Sequence, residues 1–202
     1  MKKKMFLFVV LAMALPLAAF ADNVSFTSTG GTFSGDSTGY VLTNATLTQV
    51  TGIAGNTYTG SNLGAVSFDT GILGGISNVV VGGPILAGGS ITITGNGSDG
   101  IPSGTLFTGT FASGGTWGYV TQSDGTYLYT LNANVTGQDG NGNSASGAMT
   151  FTINTGTGIF PGYTSASGTN SVNVAVPEPG ELSLLGMGLL GLVGAIRRKI
   201  SC

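Results

Sequence analysis

Tyr127-Leu128-Tyr129-Thr130-Leu131-Asn132-Ala133-Asn134-Val135-Thr136 decides the fold class of this chain. Tyr127, Tyr129, Leu131, Ala133 and Val135 alternate with Thr130, Asn132, Asn134 and Thr136, the period-2 signature of a strand with one buried face. Ala148 to Asn154 repeats the pattern, with Met149, Phe151 and Ile153 expected inward. Working outward, Val24 with Phe26, Val66 with Phe68, Ile91 with Ile93, and Leu106 with Phe107 and Phe111 suggest further strands. Between these runs lie Gly95-Asn96-Gly97-Ser98-Asp99-Gly100, Ser123-Asp124-Gly125 and Asp139-Gly140-Asn141-Gly142-Asn143. Such clusters supply the positive backbone angles that hairpin turns need. No segment between residues 22 and 175 has a helical period. The expectation is an all-β, antiparallel β-sandwich or jelly-roll-like domain. A β-solenoid is the alternative suggested by recurrent Gly-Thr runs, but their spacing is irregular.

Composition narrows the chemistry. Glycine accounts for 37 of 202 residues and charged residues for only 7%. Histidine is absent and Cys202 is the single cysteine, so His/Cys zinc sites, disulfide scaffolds and histidine general bases lack their parts. All six basic residues stand at the two ends: Lys2, Lys3, Lys4, Arg197, Arg198 and Lys199. Residues 22–176 hold aspartates but no lysine or arginine. A body without cations cannot neutralise phosphates, which argues against a nucleic-acid partner.

The ends have their own patterns. Residues 1–21 read as a signal peptide for the secretion machinery, with a basic start, an apolar stretch and small residues at Ala19 and Ala21 that predict cleavage before Asp22. Residues 22–175 form the Gly/Thr-rich β domain and residues 176–202 a separate block. In that block Val176-Pro177-Glu178-Pro179-Gly180 is a stiff turn. Leu182 to Ile196 carries no charge and is expected to form a single short transmembrane helix, which Arg197, Arg198 and Lys199 then stop. Basic residues favour the cytoplasmic side, which leaves the acidic body outside.

Pro177-Glu178-Pro179, the apolar stretch and the terminal basic cluster resemble the PEP-CTERM sorting signal. The resemblance implies export and retention by the C-terminal helix. It also implies recognition of Pro177, Glu178 and Pro179 by an exosortase, a membrane-embedded processing enzyme, followed by release to the cell surface or the extracellular space. Members of this family are often associated with exopolysaccharide production.

Candidate chemistry within the body is sparse. Asp69-Thr70-Gly71 matches the core of an aspartic protease, whose mechanism needs two such motifs sharing one proton, and this chain has one. Asp139, Asn141 and Asn143 begin like a calcium loop, but Ser144 and Thr150 stand where glycine and a bidentate glutamate belong. Trp117 and Tyr119, near Tyr127 and Tyr129, are candidates for an aromatic platform that stacks on a sugar ring. No cofactor is expected. The leading expectation is a non-enzymatic surface or extracellular-matrix protein, linked to exopolysaccharide or biofilm, with a carbohydrate-binding module as the alternative.

Overall fold

The computed structural model describes residues 22–36, 38–74, 80–165 and 168–176. The signal peptide, the sorting turn, the apolar stretch 182–196 and the basic cluster 197–199 lie outside the described residues. Asn23–Val176 forms one compact unit. Among the described residues every regular element is a strand: β1 (Asp22–Thr29), β2 (Thr32–Asp36), β3 (Gly39–Ile53), β4 (Asn56–Asp69), β5 (Gly83–Ile85), β6 (Gly88–Asn96), β7 (Ser103–Phe111), β8 (Gly115–Thr121), β9 (Tyr127–Asp139), β10 (Ser144–Asn154), β11 (Tyr163–Ser165) and β12 (Thr169–Val176).

Register shows that several neighbouring strands are one bent strand. Thr29 of β1 pairs with Thr46 of β3, and Thr32 of β2 pairs with Thr43, so the count along β3 is kept through Gly30 and Gly31. Gly31 sits at φ 91°, and a Cβ there would collide with Thr43 O and the Ala45 backbone, so the bend requires glycine. β7 and β8 also follow one another along β9, with two extra residues between Phe111 and Thr116, while β5 and β6 follow one another along that pair. β11 pairs with β2 while β12 pairs with β1.

With the bends counted in, each strand lies beside its neighbours in sequence, and β1 closes the circuit by pairing with both β3 and β12. The result is an eight-stranded antiparallel up-and-down barrel. This corrects the expected sandwich or jelly roll: there is one sheet, closed on itself, and no second sheet faces it. Alternation and turn spacing are the same in both architectures, whereas closure is decided by the pairing of the first and last strands.

The inward alternation fills the barrel. Tyr129, Leu131 and Val135 of β9 and Met149, Phe151 and Ile153 of β10 are buried as expected, with Val24, Phe26, Val66, Phe68, Ile91 and Ile93 beside them. Leu106 and Phe107 are adjacent yet both buried. A register shift between Ile93 and Thr94 of the partner strand accommodates them. One end of the interior is aromatic: Phe33 lies 4.6 Å from Phe151 and 5.4 Å from both Trp117 and Phe160, measured between ring centroids.

The outer face has the opposite chemistry. Asn132 pairs with Thr150 and Thr136 with Ser146, all exposed, and the Thr150 hydroxyl donates to Asn132 Oδ1 at 2.9 Å. A membrane-spanning barrel is apolar outside and polar within, so this patterning is the reverse of a lipid-facing one. No helix among the described residues is long and apolar enough to cross a membrane.

The strand order also assigns the ends of the chain. β1 starts, β3 ends and β12 ends at the same rim, so the body's two ends lie there together. β2, β4, β8 and β10 end at the opposite rim, which also carries the connections 122–126 and 155–162.

Candidate functional site

The aromatic pair splits across this architecture. Trp117 is 2% exposed, with Tyr40 at 4.7 Å and Tyr129 at 5.2 Å between ring centroids. Its inward position on β8 places it in the core, packed between Tyr40 and Tyr129. Tyr119, two residues on, is 41% exposed at the far rim and packs against Tyr127 at 5.5 Å and Tyr129 at 5.2 Å. Tyr129 is fully buried; its hydroxyl donates to the Val80 carbonyl at 3.3 Å and accepts the Phe160 N–H at 3.1 Å. Period alone put Trp117 and Tyr119 on one face, but it could not show where the filled interior ends.

The calcium-like loop is the β9–β10 hairpin turn. Asp139 Oδ1 accepts the Asn141 N–H at 2.9 Å and the Asn143 N–H at 2.7 Å, while Oδ2 accepts the Asn143 amide at 2.9 Å. Partial burial works against ionisation of Asp139, yet these hydrogen bonds outweigh it and hold the carboxyl below its ordinary range. Both oxygens are engaged by the turn itself. Asn141 and Asn143 contribute to holding the aspartate, and among the described residues no group of three acidic, His or Cys side chains gathers around a metal position.

Other aspartates do the same work. Asp124 Oδ1 accepts the Thr126 N–H and hydroxyl at 2.9 and 2.7 Å, and Asp36 Oδ1 accepts those of Thr38 at 2.7 and 2.6 Å. Asp69 Oδ1 accepts the Gly71 N–H at 2.8 Å. Each caps a turn through an N–H two residues on, the local bond that makes Asp a turn residue.

The strand order brings together one pair that sequence reading left apart. Val41 pairs with Asp69 and Asp36 with Gly39, so both aspartates line an open groove of about 320 Å³ on the outer face of β2, β3 and β4, with Ser34, Val41 and Ile72. Thr70 of the Asp-Thr-Gly run is fully buried, and its hydroxyl accepts the Tyr40 N–H at 2.9 Å. It ties the end of β4 to β3. The hydroxyl and N–H of Thr38 hold Asp36 below the ordinary carboxylate range.

These features define a class of protein: a closed barrel with a polar, cation-free coat, whose described aspartates at positions 36, 69, 124 and 139 shape turns. The tail carries a recognisable motif. Residues 175–199 match the model of the PEP-CTERM protein-sorting motif, beginning on the last two residues of β12. That motif points to exosortase-dependent sorting of an exported protein. No curated protein and no solved structure matches the chain.

Proposed function

We propose that this chain is an exported, non-enzymatic surface or extracellular-matrix protein, held at the membrane and processed through its tail. The observation that carries the reading is the sorting motif at residues 175–199. In this reading the secretion machinery removes residues 1–21. Leu182 to Ile196 lodges in the membrane with Arg197, Arg198 and Lys199 on the cytoplasmic side. An exosortase-like enzyme then cuts near Pro177-Glu178-Pro179 and delivers the barrel to the cell surface or the extracellular space. β1 starts at Asp22, the residue at which the mature chain would begin, so cleavage there would leave the first strand whole. The turn-bound aspartates support the non-enzymatic reading, since groups committed to backbone N–H donors are poor proton carriers.

Deleting residues 177–202 tests the proposal. The truncated protein should leave the membrane fraction for the medium or periplasm, and unchanged fractionation overturns it. A carbohydrate-binding role is the second reading, favoured by the exposed Tyr119 beside Tyr127. Polysaccharide pull-down with a Tyr119→Ala variant tests it: equal retention of both forms removes Tyr119 from any such site.

A further inference from the structure

Among the described residues, two polar side chains inside the barrel have no hydrogen-bonding partner. Ser28 is fully buried and Asn170 is 2% exposed, and Ser28 Oγ, Asn170 Oδ1 and Asn170 Nδ2 all lack a hydrogen-bonding neighbour among the described residues. They stand on β1 and β12, the strands whose pairing closes the ring. Across that seam the Gly30 N–H donates to the Gly168 carbonyl at 3.2 Å. Strand directions alternate around the eight-membered ring, so Ser28, two residues before Gly30, stands level with Asn170, two residues after Gly168. Inward positions alternate along each strand, and the polar pair interrupts two apolar columns: Val24 and Phe26 on β1, Val172 and Val174 on β12. Their partners on the outer sides are also apolar and fully buried, Leu47 across from Ser28 and Phe151 across from Asn170.

We infer that Ser28 and Asn170 form a binding site for an internal water molecule, and that this hydrated pair keys the register in which the barrel closes. The pair is neutral and offers both donors and acceptors, which suits water and neither a cation nor an anion. A water here donates to Asn170 Oδ1 and accepts from the Ser28 hydroxyl or the Asn170 amide, within the two to four bonds that buried waters make. Leaving a primary amide unsatisfied in such surroundings is strongly unfavourable. A slip of either strand by one residue would turn its own polar side chain outward and leave the other without its partner, and a slip by two would set Asn170 against Phe26 or Gly30 and strip the water of its second partner. Only the native register satisfies both residues.

The test uses the mature, full-length exported protein. A high-resolution crystal structure should show a water within hydrogen-bonding distance of both side chains, and water–protein NMR cross-peaks should mark it as long-lived. Ser28→Ala, a small change suited to folding, should lower the unfolding midpoint by several degrees, and Ser28→Ala with Asn170→Leu should abolish the cross-peaks. Direct Ser28–Asn170 bonding without solvent density overturns the inference, as does a Ser28→Ala protein with an unmoved midpoint.

Discussion

Phe33 touches five aromatic rings at once: Tyr40, Phe68, Trp117, Phe151 and Phe160, with centroids between 4.6 and 6.3 Å. Rings of β2, β3, β4, β8, β10 and the 155–162 connection thus meet on one side chain. Phe33→Ala should cost about 3–5 kcal/mol of stability, measured by denaturant unfolding, because the surrounding rings cannot collapse into the space. The aspartates set the pH response. Asp36 is held below the ordinary range by the Thr38 hydroxyl and N–H, Asp124 by the Thr126 N–H and hydroxyl, and Asp139 by hydrogen bonds that outweigh its burial. A carboxyl with a lowered folded value contributes stability above its unfolded value, about 4, and loses it as the pH falls through the folded one. The unfolding midpoint should therefore stay level from about pH 5 to 8 in a chain without histidine and fall below about pH 4. Replacing Asp139 with Asn should flatten that acid limb.

Most strands were legible from alternation, because period-2 patterns with Gly/Asn/Asp turns survive any tertiary arrangement. Met149, Phe151 and Ile153 face inward as their spacing predicts. The bends were not legible: Gly30 and Gly31 look like a turn in the sequence, yet the chain runs on along β3 in the same register. The β9–β10 element carries two predictions. Gly147 on β10 lies so close to the Asn173 carbonyl that a Cβ would overlap it. Gly147→Ala should force β10 and β12 apart and lower the stability in denaturant unfolding, reversing the gain of roughly 0.5–1 kcal/mol that alanine ordinarily brings over glycine within a strand. At the turn, Asp139 already spends both oxygens on Asn141 and Asn143. Calorimetry with calcium should give no binding heat and no thermal shift, and a measurable heat would show that the metal can displace those bonds.

For the whole molecule, closure is the property that local reading could not supply. Whether a run of antiparallel strands folds into two facing sheets or one ring depends on whether the first strand meets the last, a contact between residues more than a hundred positions apart. The same blindness placed Trp117 with Tyr119, because the depth at which the barrel's filling stops is set by Phe33, Tyr40 and Phe160. The sorting tail, in contrast, was legible because its order of features is linear. A ring has no open edge, so the body should stand alone. Residues 22–176 expressed without the tail should unfold in one cooperative transition with the midpoint of the full-length protein, and a large drop would show that the barrel leans on the segments beyond it.

The body's two ends share a rim, and β12 lies between β1 and β10 before the chain leaves at Val176. A pull applied through the tail against a load at the opposite rim acts along β12 and parallel to its neighbours. Its hydrogen bonds to β1 and β10 then bear the tension together, in shear, instead of parting one after another like a zip. A protein tethered in flowing liquid by such a strand would resist tearing far better than one hung from a hairpin tip.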